Sequence, residues 1–293
     1  MKILKIILAL CVVSFAHDFE LDFNKGAVEN VKELIKVDKI ELNLDTKSPV
    51  LGLDYKDDEF LLATKDLELF LMDENFKKQK GYLKSTKDWI IQLEDGVAAS
   101  YFNDSIGIMS YNKTYTFFKL TPNQDKKEAN LAWRYLYKGY EDFTLDFKDR
   151  YSTVRAKQQY ILSWDYSDFY KEFFIATVPD DIKNYWSIAS FNSEDNMLSS
   201  EFLPTFDKSL KIKDKRDLSD YYITGMDAKD EFIYLLSIRY STILKLDPRT
   251  RTIVDVYGFS GVKDATALAI RDDMFYITSR EDGKNFVYIF RLN

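Results

Sequence analysis

The sequence has one cysteine, Cys11, and one histidine, His17, among 293 residues, and that scarcity excludes much of the chemistry open to a chain this long. A lone thiol forms no internal disulfide and no Cys-based zinc site, and a lone imidazole leaves a Ser-His-Asp or Cys-His arrangement a single candidate base. Ten glycines supply no Walker loop and no G-x-G-x-x-G, and no C-x-x-C-H run is present for haem. "GFSGV", Gly258 to Val262, lacks the spacing of the G-x-S-x-G nucleophile elbow. Excess positive charge is missing too. The formal net charge is −7, and acids interrupt basic runs such as "KIKDKR" at 211–216, so a nucleic-acid partner is not expected.

Long apolar runs are confined to the start, "MKILKIILALCVVSFAHDF". Lys2 and Lys5 form a positive segment, Ile6 to Phe15 an apolar one, and Ser14 and Ala16 the small residues of a cleavage site, so residues 1–16 read as a signal peptide. The apolar run is shorter than the ~20 residues that cross a bilayer. A retained N-terminal anchor is the alternative. Cleavage after Ala16 removes the only cysteine and takes the formal charge from −7 to −9. An exported, cysteine-free chain rich in Lys and Asn points to the periplasm, with no membrane span after cleavage. His17 then becomes the first residue, but a copper site on an amino-terminal histidine needs a second imidazole, which the sequence does not have.

Aromatic residues are plentiful: 20 Tyr and 22 Phe help bring the aromatic share to 16%. These wide, flat side chains suit half-buried strands. They recur in a pattern. "TGMDAKDEFIYLLS", from Thr224, returns without a gap 42 residues later as "TALAIRDDMFYITS". Each copy reads as a strand with small residues, a charged turn and an apolar-aromatic strand. Asp and Asn favour such turns because they bond nearby amides and tolerate left-handed dihedrals. "GLDYKDDEFLLAT" (52–64) and "VAASYFNDSIGIMS" (97–110) repeat that grammar, and "LFLMDENFKKQKGYL" (69–83) matches "ILKLDPRTRTIVDVY" (243–257). A looser unit runs from Tyr160 to Pro204. Polar insertions fall near 121–130 and 205–220.

Units of ~40–50 residues with four strands each are the mark of a β-propeller. The predicted fold is therefore all-β, with five blades visible and a sixth open in 120–160 or 204–221. The last unit ends after "NFVYIFRLN" without a fourth strand, whereas "KIELNL", 39–44, stands before the first unit with alternating apolar residues. It is predicted to complete the last blade and close the ring, which removes exposed sheet edges. "AVENVKELIKV", 27–37, reads as a short amphipathic helix. The division expected is a signal peptide (1–16), an N-terminal arm with that helix (17–38) and one propeller domain (39–293). "ITGMDAKDEFIYLLS…LKLDPRTRTIVDVYGF" resembles blades of the WD40-like superfamily, especially the bacterial YVTN, NHL and SdiA-regulated or phytase-like propellers. The resemblance covers roughly 50–120 and 222–292 well.

Carboxylates are the remaining chemistry. Asp54 and Asp227 hold equivalent places on the innermost strands of two units, where Ser100 and Ala269 stand in others. Carboxylates on a propeller's axis bind Ca²⁺ or act as acid and base. The resemblance implies the same, since phytase-like propellers use acids and Ca²⁺ there and five-bladed glycosidases an Asp/Glu set. The plainer reading, that a strand-end Asp caps its own turn, is favoured because the acid is not repeated in every unit. Hence no cofactor is expected, with Ca²⁺ at Asp54 and Asp227 the one candidate. "NSEDN", 192–196, lacks the glycine and distal glutamate of a calcium loop. Aromatic clusters give a candidate binding surface: Trp133, Tyr135, Tyr137, Trp164, Tyr166, Tyr185 and Trp186, though such rings also fill space between blades. The expected role is a monomeric, non-catalytic scaffold that binds another periplasmic or membrane-complex protein, as an accessory subunit of an envelope or respiratory complex. A Ca²⁺-dependent phosphoester hydrolase or a carboxylate glycosidase is the alternative, and a carbohydrate- or small-ligand-binding propeller the second.

Overall fold

Alternating apolar residues with Asp- and Asn-rich turns dictate hairpins, and hairpins are what form. The structure is a computed structural model that describes residues 26–84, 95–111, 113–119, 134–135, 160–178, 186–213 and 218–293. The proposed signal peptide, His17 and the 121–130 insertion lie outside the described residues. Strand β1 (Lys32–Glu41) comes first. Blade 1 is β2 (Val50–Lys56), β3 (Glu59–Thr64), β4 (Glu68–Asp73) and β5 (Gln79–Lys84). Blade 2 is β6 (Gly96–Phe102), β7 (Ser105–Ser110), β8 (Thr114–Lys119) and the short β9 (Arg134–Tyr135). Blade 3 is β10 (Ile161–Ser167), β11 (Glu172–Thr177), β12 (Ile188–Asn192) and β13 (Leu198–Phe202). After the two-residue β14 (Thr205–Phe206), blade 4 is β15 (Ile223–Lys229), β16 (Phe232–Ser237), β17 (Thr242–Asp247) and β18 (Thr252–Gly258). Blade 5 takes β19 (Ala265–Arg271), β20 (Met274–Glu281) and β21 (Lys284–Leu292) from the end of the chain and β1 from its start.

The first strands of the blades pack side by side in the cyclic order β2, β6, β10, β15, β19 and back to β2. The circle is complete with five, so the sixth blade left open by the sequence has no place among the described residues. Each gap between neighbouring blades is filled by its own apolar cluster. Leu61, Leu69 and Ile108 fill blades 1 to 2, and Phe117, Trp164 and Phe173 fill blades 2 to 3. Phe174, Trp186 and Leu235 follow, then Ile243, Phe275 and Ile277, and finally Phe60, Phe70 and Tyr276 between blades 5 and 1. A single sheet cannot bury both its faces; five in a circle can.

The inner strands approach so closely that two positions require glycine. A Cβ on Gly52 would stand 2.4 Å from the Ala99 amide nitrogen, and one on Gly225 2.9 Å from Ala267 Cα. Between the first two strands of four blades, Asp57, Asp58, Asn103, Asp230 and Asp272 take positive φ in the hairpin turns, which Asp and Asn tolerate.

Ring closure follows the sequence reading at its end and departs from it at its start. Lys39, Ile40 and Glu41 pair antiparallel with Tyr288, Val287 and Phe286 of the final strand. The strand stops at Glu41, and Leu42 continues only through a bond from its amide to the Asn285 carbonyl at 2.8 Å. Residues 32–37, expected in a helix, instead extend β1, with Leu34 opposite Leu292. The free edge of β21 offers a full ladder of backbone partners, which a surface helix would leave unsatisfied. The apolar spacing misleads because only Leu34 of this stretch is buried, while Ile35 and Val37 are 40% and 50% exposed. The first residues of β1 also pair parallel with β18, as does β14, so the outer edge of blade 4 is covered.

Candidate metal centre on the propeller axis

The third residue from the end of four inner strands is polar: Asp54, Ser100, Asp165 and Asp227, with Ala269 on the fifth. Alternation along each strand turns this residue toward the following blade. Asp54 accepts the amide of Tyr55 at 2.6 Å and, across the gap, that of Tyr101 in blade 2 at 2.5 Å. Ser100 Oγ takes the Tyr166 amide of blade 3 at 3.1 Å. Asp165 accepts Tyr166 at 2.9 Å and Ala228 of blade 4 at 2.6 Å. Asp227 accepts the Ile270 amide of blade 5. Every link runs from one blade to the next, and the circuit is interrupted only at Ala269.

Three of these groups are acids with oxygens within 4.8 Å of one another, and all three residues are buried. Burial disfavours their charged forms. It pushes the Asp54 carboxyl up to about 6, with the Tyr101 and Tyr55 amides pulling the other way. Asp165 lies well above the ordinary carboxylate range, from burial first and then repulsion by Asp54 and Asp227. Asp227 is raised by burial and by Asp54. The set offers oxygen donors only, the chemistry of hard cations.

One layer along the axis, Gly52, Ala98, Ser163, Gly225 and Ala267 line a cavity of about 10 Å³. That is about the room one water needs. Ser163 is 1% exposed and its Oγ has no hydrogen-bond partner.

Of the residues predicted from sequence, Asp54 and Asp227 are therefore brought together. Asp165 was missed. Its signal was present, since "SWDY" in the loosest unit stands where "GLDY" and "GMDA" stand in the others. The aromatic set fares differently. Trp164, Tyr166 and Trp186 are buried, at 1%, 7% and 2% exposure, and fill the gaps on either side of blade 3, so they are not a surface. Large rings are what those wide gaps demand, and Trp186 directs its Nε1 to the Leu218 carbonyl at 2.5 Å. Trp133, Tyr137, Tyr185 and the Tyr135 side chain lie outside the described residues.

No protein-family model matches the sequence, and no curated protein matches it. Among solved structures, the fold is similar to Myxococcus xanthus glutaminyl cyclase, with a TM-score of 0.57 and 8% identity over 92% of this chain and 100% of that one. At that identity the likeness concerns the fold alone. It supports a propeller-like architecture and does not select the YVTN or NHL subfamilies.

Proposed function

We propose that the protein is a non-catalytic propeller scaffold that binds another protein, an accessory subunit of an envelope or respiratory complex reached by export. The observation that carries this reading is the use made of the axial acids. Asp54, Asp165 and Asp227 are 8%, 3% and 5% exposed, and each accepts a backbone amide of the following blade, Asp54 and Asp165 also accepting one of their own strand. A general acid or nucleophile must meet its substrate, and these groups instead meet the fold.

Exposed apolar side chains on blade 3 give the partner a place to dock. Phe169 in the β10–β11 turn is 58% exposed and Met197 in the β12–β13 turn 43%. The two turns adjoin, with the Ser193 amide bonded to the Lys171 carbonyl at 3.4 Å. Turns held by rigid strands are where binding groups concentrate.

The test compares crosslinked capture from an envelope extract by the wild-type chain and by Phe169→Asp with Met197→Asp. A partner held at fixed stoichiometry by the wild type and lost by the double variant, at unchanged melting temperature, supports the scaffold. The same preparations are assayed on phosphoester and glycoside substrates and for glutaminyl cyclisation. Turnover that disappears in Asp54→Asn and Asp227→Asn would replace this reading with the enzymatic one.

A further inference from the structure

Ring closure also encloses a pocket away from the axis. Where the chain passes from β1 to β2, residues 44–47 face Asp66 and Glu68 at the β3–β4 turn and Lys84 at the end of β5. Together they line a space of about 400 Å³, the size of a small-molecule site. Its wall is fixed from behind. Ser48 Oγ takes the Asp66 amide at 3.0 Å, and Asn285 Nδ2 bonds the Ser48 carbonyl at 3.0 Å. Arg280 of blade 5 donates to the Lys47 carbonyl at 2.6 Å and to that of Ser48 at 3.3 Å. The connection is therefore held between blades 5 and 1 before any ligand arrives, and a preformed site loses less freedom on binding.

Glu68 forms the floor. It is 5% exposed, and its carboxylate accepts the hydroxyls of Thr46 at 2.5 Å, Thr64 at 3.3 Å and Tyr82 at 3.1 Å, with Lys84 Nζ 3.7 Å away. The floor is satisfied by the fold. The rim is not: among the described residues, the side chains of Asp45, Lys47 and Asp66 form no ion pair. Charges of both signs left apart in one pocket select a ligand by its charge pattern. A dication meets Lys47 and Lys84, a dianion meets three carboxylates, and a neutral molecule answers none of them. A molecule with one charge of each sign, spaced as in an α-amino acid, answers both. Leu44 is the one apolar residue of the lining, so a polar side chain suits the remaining room.

We propose that this pocket binds a free α-amino acid with a polar side chain, its ammonium group facing Asp45 and Asp66 and its carboxylate facing Lys47 and Lys84. Glu68 acts as a positioning residue, holding Thr46 and Lys84 in the lining. In an antiparallel blade, second-to-third turns lie on the opposite face from first-to-second ones, so the pocket sits across the ring from Phe169. A bound amino acid leaves the blade 3 turns open to a protein partner. The site is independent of the partner-binding reading and stands or falls by itself.

The experiment titrates the full chain calorimetrically with L-serine, L-asparagine, putrescine and succinate, and follows its amide NMR spectrum. Expected is one site per chain for each amino acid, about tenfold tighter than for the dication or the dianion, with shifts at the Thr46, Lys47 and Asp66 amides. Lys47→Ala should weaken the amino acids about tenfold and strengthen putrescine, whereas Asp45→Asn should weaken them and strengthen succinate. Both side chains are exposed at the rim, and the Lys47 carbonyl that Arg280 holds survives substitution, so both variants melt as the wild type does. Absence of amino-acid heat, tighter binding of putrescine or succinate by the wild type, or an affinity unchanged in either variant overturns the proposal.

Discussion

The Asp165 carboxylate of blade 3 accepts the backbone amide of Ala228 in blade 4 at 2.6 Å, so a side chain completes the polar accounting of a neighbouring sheet. Removing the oxygen is different from removing the charge. Asp165→Ala leaves the Ala228 amide buried without an acceptor, which costs about 1–3 kcal/mol, whereas Asp165→Asn keeps one oxygen for that amide and turns its NH2 toward the Tyr166 amide, which Ser100 Oγ still accepts. Denaturant unfolding should rank alanine below wild type and asparagine above alanine. Equal stabilities for the two variants would mean that the link contributes nothing.

The same ring sets a pH dependence. Asp54 is raised to about 6 by burial, and Asp165 and Asp227 are raised by burial and mutual repulsion, whereas the unfolded chain titrates near ~3.9. Between those values the folded ion-free protein holds protons that the unfolded chain has released. Its stability therefore falls as pH rises from about 4 through 6 and beyond, by about 1.4 kcal/mol per pH unit and group within the gap. The groups facing the site are the three acids and the Ser100 hydroxyl, with Lys56 and Lys229 at the mouth. Unfolding in EDTA at pH 4.5 and 7.5 should show the loss, and Asp54→Asn should shrink it.

Blade 3 shows what the sequence could and could not disclose. The hairpin grammar was legible there, because period-2 alternation is local and its strands form where expected. The third acid was not singled out, since Asp165 acquires meaning only when β10 stands beside β2 and β15 around an axis. The same holds for Trp164 and Trp186. Composition marks a large ring as useful in a core or at an interface, and only the gap between blades decides. At the N-terminus, helical spacing over 27–37 was overridden by an unpaired strand edge more than two hundred residues away.

Trp164 tests that correction directly. It packs against Tyr115, Phe117 and Phe173, with ring centroids 5.5, 5.8 and 5.5 Å away. As a core residue, Trp164→Ala should cost about 3–5 kcal/mol. An interface residue would instead lose partner binding at unchanged stability, and thermal melts beside capture assays separate the two outcomes.

Gly52 makes a prediction of the opposite kind, overpacking. An added Cβ meets backbone of Ala98 and Ala99 at 2.6 and 2.4 Å, and backbone in a closed ring cannot retreat as a side chain can. Gly52→Ala should destabilise by at least the 1–3 kcal/mol typical of overpacked cores. Gly283→Ala is a control of another origin, because a Cβ there meets nothing within 4 Å while its φ of +80° still favours glycine. Stability measured by urea unfolding should fall further for Gly52→Ala.

Closure by β1 is the feature on which the ring depends as a whole. A chain starting at residue 43 loses the partner of β21 and part of the cover of β18, leaving two exposed sheet edges. It should melt lower and run as oligomers in size-exclusion chromatography. Leu34→Ala isolates packing from pairing, since Leu34 is 7% exposed and belongs to the cluster holding Phe259 and Phe290. It should cost about 2 kcal/mol and leave the chain monomeric, because the backbone ladder to β21 does not need that side chain. If instead the truncated chain stays monomeric with an unchanged melt, β1 lies on the ring without fastening it, and the stability of the torus must come from the apolar gaps alone.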